Sequence, residues 1–230
     1  MLGVLGGMGP AATVDFLAKL IRLNPARRDQ DHLPLIVISD PRVPDRVGPI
    51  VAGSGPSPLP ALLAGLRTLE RAGAQAIAIP CHTAHHWYPE LAAATARPIL
   101  SIVDATLAEL ARLDVPPGPL GLLATEATLK AGLYQQRLAA AGHPPLIPAP
   151  AIIEKNVLPA IALIKQGRAA EAAPLLARAL AHLNAAGAAH VLLACTELPL
   201  ALPAAPLPGC IDATEALARA CLAWWQGRQA

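Results

Sequence analysis

Two stretches of the chain, LRTLERAGAQAIAIPC (Leu66 to Cys81) and LAHLNAAGAAHVLLAC (Leu180 to Cys195), carry Leu, Leu, Ala, Gly, Ala and Cys at the same offsets. Each reads as a helix, a Gly-Ala turn, a short apolar strand and a cysteine. The likeness extends to both sides. GVLGGMGPAAT (Gly3 to Thr13) parallels GLLATEATL (Gly121 to Leu129), and VDATLAEL (Val103 to Leu110) parallels IDATEALA (Ile211 to Ala218). One match could be accidental, but three in the same order mark a chain built from two like halves. Whatever the first half folds into, the second must fold into as well.

Short continuous apolar runs alternating with longer helical patterns predict parallel sheets made from βαβ units. The expected strands are Leu2–Leu5, Leu35–Ser39, Ala76–Pro80 and Ile99–Ile102, then Leu120–Ala124, Pro145–Ile147, His190–Ala194 and Gly209–Asp212. Asp104 and Asp212, each in an Asp-Ala-Thr triplet that opens a helix, are candidate N-caps. Pro10 suits the first position of a helix. The proline-rich run PDRVGPIVAGSGPSPLP predicts a long loop closing over something, and SPLPALLAGLRTL an amphipathic packing helix too short to span a bilayer. The fold class is therefore α/β, with two pseudo-symmetric domains, each a short, mostly parallel sheet flanked by helices. The expected division is 1–102 plus 210–230 against 103–209, with the final helix crossing back to the first and the active site in the inter-domain cleft.

Composition removes several classes of function. A chain of 230 residues with 54% hydrophobic and 15% charged residues has ample material for a core and no character of disorder. Its net charge is only +2 and no basic cluster occurs, so nothing points to nucleic acid. No uninterrupted apolar run reaches membrane-spanning length. MLGVLGGMGP lacks a basic n-region and is broken at once by glycine and proline, so it reads as a strand and a turn. Four cysteines without paired spacing predict free thiols in a reducing cytoplasm.

Cys81 and Cys195 fall at carboxyl ends of strands just before helix starts, where ligands bind in open parallel sheets. Unpaired amides and partial positive charge there favour a thiolate and predict a lowered thiol pKa. Related by the internal symmetry, the two sulfurs would stand on opposite walls of one cleft. One could take a proton from a carbon acid while the other delivers a proton to the opposite face, and inversion would result. Cys210 and Cys221 lie in no repeated motif and read as inert core. GMGPAA fits the looser dinucleotide fingerprint, but Asp40 lies well beyond the spacing expected of its acidic partner. CHTAHH offers a thiol and three imidazoles, yet no second ligand cluster exists, so no metal is expected; His85 reads as a structural group at the helix start.

GVLGGMGPAATVDF, VPDR, SPLPAL, IPCHTAH, GLLATEATLKAGLY and LLACTELPL together resemble the aspartate/glutamate racemase family, over nearly the whole chain. The resemblance implies amino-acid racemisation without pyridoxal phosphate or any other cofactor, catalytic cysteines at Cys81 and Cys195, and a homodimer. It places Met8 and Gly9 along the cleft and Arg46 against a substrate carboxylate. Thr83, Thr125, Thr128 and Thr196 are implied to hold the α-carboxylate and amine. Glu197 is placed near the substrate ammonium or the thiol, and Lys165 near the side-chain carboxylate of an acidic substrate. The family pattern reads Pro-Cys-Asn-Thr-Ala-His, and here His82 replaces the asparagine. An imidazole is bulkier, offers one donor and one acceptor when neutral, and is expected to become cationic at mildly acid pH. Arg42 is expected to add positive charge near the loop. Three alternatives remain: a racemase of a different amino acid because of His82, a non-catalytic amino-acid or carboxylate binder, and a single-thiol decarboxylase or isomerase of small diacids. Cys195 speaks against the last.

Overall fold

The computed structural model of the protein describes residues 1–202 and 209–228. The first half contributes β1 (Leu2–Gly6), β2 (Leu35–Ser39), β3 (Ala76–Ala78) and β4 (Ile99–Leu100), all parallel, in the order β2-β1-β3-β4. The second contributes β5 (Leu120–Ala124), β6 (Pro145–Leu146), β7 (His190–Ala194) and β8 (Cys210–Asp212), again all parallel, in the order β6-β5-β7-β8. The two sheets thus share one topology, as the internal repeat requires. Every residue of β1, β3 and β5 is buried, which is why these strands are continuous apolar runs without alternation. Some strands stop short of expectation. β3 ends before Pro80, which has no N–H to give to a ladder, and β4 ends before Ser101, where the chain already turns into a helix.

The helices are α1 (Pro10–Leu23), α2 (Val47–Val51), α3 (Leu59–Arg71), α4 (Tyr88–Ala93), α5 (Ile102–Arg112), α6 (Glu126–Lys130), α7 (Gln135–Ala140), α8 (Pro150–Ile152), α9 (Leu158–Lys165), α10 (Ala169–Ala185) and α11 (Ala213–Gln226). Each sheet is covered on one face by the helix that carries the repeat, α3 or α10, through Leu62, Leu66 and Leu69 or Leu176, Ala179 and Leu183. Both helices end at a left-handed glycine, Gly73 with φ +92° and Gly187 with φ +98°, which accounts for the repeated Ala-Gly-Ala. The opposite faces of the sheets meet in one shared core. Leu2 and Val4 of β1, Leu120 and Leu122 of β5, Phe16, Ile102, Tyr134 and Leu217 all belong to it. The final helix, α11, packs against both α1 and α5, so the chain does return to its beginning.

Asp212 caps α11, its carboxylate accepting from the N–H groups of Thr214 at 2.8 Å and Glu215 at 3.2 Å. Asp104 does not cap α5. Ser101 takes that place, its hydroxyl accepting from Asp104 N–H at 3.2 Å, because β4 ends at Leu100 and puts the serine at the junction. Asp104 lies in the first turn instead, where its charge suits the helix dipole, and pairs with Arg137. The proline-rich stretch is not entirely loop. It folds into α2, which packs on α6 of the other half, where Lys130 Nζ donates to the Val51 carbonyl at 2.7 Å.

Candidate active site

In each sheet the chain departs to one side from the first strand and to the other from the third, so the crevice at the carboxyl ends opens between β1 and β3 and between β5 and β7. Those four strand ends supply the site. The turn after β1 brings Met8, the segment after β3 brings Cys81 to Thr83, the turn after β5 brings Thr125, and the segment after β7 brings Cys195 to Glu197. All line one cavity together with Arg46 from the proline-rich stretch and Lys165 from the end of α9. The cavity measures only about 20 Å³, roughly room for one water molecule. A second space of about 200 Å³ adjoins it, sharing Arg46, Lys165 and Glu197 and bounded by Gly9 and the start of α1.

The repeated cysteines are thus brought to one cavity from different sheets. Both are almost wholly buried, Cys81 at 5% exposure and Cys195 at 4%. The expected lowering of their pKa values is not found. Burial pushes the Cys81 thiol up, against the pull of Arg46, of the Ala84 N–H and of Lys165. Burial together with Glu197 pushes Cys195 up well beyond the ordinary range, although the Glu197 N–H favours its thiolate. The helical turns that follow are short, and desolvation outweighs the few amides they offer.

Two hydrogen-bonded groups span the cleft. Thr83 Oγ1 lies 3.2 Å from Thr125 Oγ1 and 3.2 Å from Thr128 Oγ1, and the latter pair is joined at 2.9 Å. Thr128 is fully buried and does not itself line the cavity; it supports the two threonines that do. On the other side, Glu197 Oε1 accepts from Gly9 N–H at 3.2 Å, while Oε2 accepts from the Cys195 thiol at 3.1 Å and the Thr196 hydroxyl at 3.3 Å. Gly9 therefore faces the adjoining space and reaches the thiol cavity only through Glu197.

His82 is 2% exposed, neither ring nitrogen has a hydrogen-bond partner among the described residues, and the ring packs on Tyr134 with centroids 5.7 Å apart. Burial first, and His85 second, push its pKa down to about 3, so it stays neutral at mildly acid pH, contrary to expectation. His85 is held by Nδ1 on the Cys81 carbonyl at 2.8 Å and by Nε2, which accepts from Ile102 N–H at 3.1 Å. With both nitrogens engaged it fixes the segment carrying Cys81, as its place at the helix start implied.

Arg46 donates through Nη1 to the carbonyls of Val43 at 3.2 Å and Pro44 at 3.1 Å, and neither it nor Lys165 forms an ion pair among the described residues. Arg42 contributes nothing to the cavity: it is exposed and paired with Asp40 at 2.9 Å. Two lining residues were not singled out from the sequence, Asp45 and Val47. Asp45 Oδ2 accepts from the N–H groups of Val47 and Gly48 at the start of α2, and its place inside VPDR was the available signal.

Two thiols on matching strand ends of two like sheets thus share one cavity with Arg46, Lys165 and the buried carboxylate of Glu197. This is an α/β protein of two like parallel sheets with a cleft at their carboxyl ends. The chain belongs to the Asp/Glu/hydantoin racemase family, whose sequence profile matches residues 5–221. It is similar to the broad specificity amino-acid racemase RacX of Bacillus subtilis, at 33% identity over 62% of this chain and 62% of that protein. The match thus spans less than two thirds of that relative's length. Its structure resembles Picrophilus torridus aspartate racemase, with a TM-score of 0.85, 31% identity, and 97% of this chain and 93% of that one covered. Glutamate racemase from Francisella tularensis, solved with D-glutamate, shares the fold at a TM-score of 0.71 and 15% identity, with 99% and 81% covered.

Proposed function

We propose that the protein is a cofactor-independent amino-acid racemase acting on aspartate, glutamate or a related amino acid. The observation that carries this reading is the meeting of Cys81 and Cys195 in one buried cavity, each at a strand end of a separate sheet. A thiolate from one takes the α-proton, and the thiol of the other gives its proton to the opposite face of the carbanion. Racemisation at the α-carbon has equivalent forward and reverse directions, so a site with matched groups on two walls serves both. Thr83, Thr125 and Thr196 offer hydroxyls to the α-carboxylate as charge develops on it. Arg46 and Lys165, without acidic partners among the described residues, suit a second carboxylate, and a guanidinium can meet one in a bidentate fashion. The activity named for the relatives agrees with this assignment. The same reading carries a homodimer working in a reducing cytoplasm, in keeping with four free cysteines.

A second reading of the substrate has its own observation. His82 replaces an amide with a ring that is packed on Tyr134 and uncharged, so the contacts made by the family's asparagine are not reproduced. That favours a substrate range shifted away from, or wider than, the acidic amino acids.

Cys81→Ala and Cys195→Ala should each abolish racemisation in both directions, measured by chiral chromatography from pure L- and pure D-substrate. A Cys195→Ala protein that racemised at the normal rate would remove the two-thiol scheme.

A further inference from the structure

The two walls of the cleft match in topology and differ in chemistry. The residue two places after Cys81 is Thr83, a neutral hydroxyl directed at Thr125 and Thr128 of the opposite half. The residue two places after Cys195 is Glu197, a carboxylate directed at Gly9 of the opposite half and, through its other oxygen, at its own cysteine. Resting on the racemase reading, we propose that Glu197 is a positioning residue that keeps the proton on Cys195 in the resting protein, leaving Cys81 as the thiol that ionises first.

The geometry supplies the reasons. With Sγ and Oε2 3.1 Å apart, one proton is shared between a thiol and a carboxyl group. The thiol is the donor in that contact and Oε2 the acceptor, so the proton sits on sulfur. A thiol donating to a carboxylate is stabilised in its neutral form, and a thiolate beside that carboxylate would be repelled. Gly9 N–H holds the other oxygen, so the carboxylate stays aimed at Cys195 while the cleft is closed.

Cys81 has no such acceptor among the described residues. The charged and titratable groups that act on it are Arg46, Lys165 and, unfavourably, Glu197, and beside it stand the uncharged rings of His82 and His85. Asp45 also lines the cavity, with its carboxylate committed to the backbone of Val47 and Gly48. Around Cys195, burial is the largest influence holding the proton and the Glu197 carboxylate the next, and the Glu197 N–H and Lys165 do not overcome them.

The proton count balances. The Cys81 thiolate takes the α-proton from the enantiomer that presents it, the carbanion takes the Cys195 proton on its other face, and turnover leaves a Cys81 thiol and a Cys195 thiolate. That second form lies against Glu197 and is the less stable of the two. It returns to the first by proton exchange with water or by turning over the opposite enantiomer.

The test is the pH dependence of alkylation by iodoacetamide, read for Cys81 and Cys195 separately by mass spectrometry. It needs no turnover, so it can fail while the racemase reading stands. In the native protein, Cys81 should reach half-maximal reactivity at a lower pH than Cys195. Glu197→Gln keeps an oxygen for Gly9 but removes the charge. It should lower the Cys195 midpoint toward that of Cys81 and raise its neutral-pH rate by roughly tenfold. A change in access alone would alter the plateau rate and leave the midpoint in place. A Cys195 midpoint at or below that of Cys81 in the native protein overturns the proposal, and so does a Glu197→Gln midpoint that does not move. Should the variant fail to fold, the order of the two native midpoints decides the matter.

Discussion

His82 and His85 are neighbours in one buried segment, and both rings resist protonation, to about 3 and about 4 against an ordinary 6.5. In the unfolded chain they take up protons as the pH falls through 6.5, whereas in the folded protein they do not until pH 4 or lower. The unfolded state therefore binds more protons in that window. The stability they permit is fully present above pH 6.5 and is lost as the pH falls toward 4. Each ring contributes a slope of about 1.4 kcal/mol per pH unit within its window. Urea unfolding should show stability dropping between neutral pH and about pH 5. His82→Asn, which cannot take up a proton, should make that drop shallower. An unchanged slope in the variant would mean that His82 is accessible to protons in the folded state. None of this could be read from IPCHTAH alone. The residue types were visible, but the depth of the cavity that contains them comes from the other half of the chain. The same holds for the thiols: the sequence shows Cys81 and Cys195 at helix starts, while their burial at 5% and 4% reverses the expected direction of their pKa values.

Between α3 and β3, and again between α10 and β7, the Ala-Gly-Ala turn was legible because only glycine takes the left-handed conformation without cost. A Cβ on Gly187 would meet nothing within 4 Å, and one on Gly73 only Met1 Cε at 3.7 Å. Alanine at either position is thus opposed by backbone conformation alone. Gly73→Ala and Gly187→Ala should each cost about 1 kcal/mol in denaturant unfolding, and by similar amounts. A markedly unequal cost would show that the two turns are not equivalent. Helix starts were less legible. Asp104 and Asp212 sit in the same triplet, yet only Asp212 caps, because Ser101 stands at the end of β4 and reaches the free amide first. Capping depends on where a strand stops, and a repeat of residue types does not set that point.

The shared core joins the two halves through α1, α5 and α11, and polar contacts reinforce the join. Lys19 of α1 reaches Asp212 at 2.6 Å, and Arg22 of α1 reaches Glu215 of α11 at 2.7 Å. The cleft side is held differently, by Glu197 on Gly9, by Thr83 on Thr125 and Thr128, and by Lys130 on Val51. These few hydrogen bonds close the cavity that holds both thiols, while the shared core joins the halves on the far side. The duplication in the sequence foretold two like sheets and one cysteine from each. It did not foretell that the cross-cleft contacts would be a carboxylate on one wall and hydroxyls on the other, because that follows from packing the halves together.

The central claim is proton exchange at an α-carbon by two thiols, and the direct measurement is proton NMR of amino acids incubated with the reduced protein in deuterium oxide, without pyridoxal phosphate. L- and D-aspartate, L- and D-glutamate and a set of neutral amino acids would be compared, with chiral chromatography run in parallel. The account predicts loss of the α-proton signal together with inversion for at least one enantiomeric pair, and loss of both in Cys81→Ala and Cys195→Ala. Exchange and inversion that persist in either variant, or their absence across the whole panel, would contradict it.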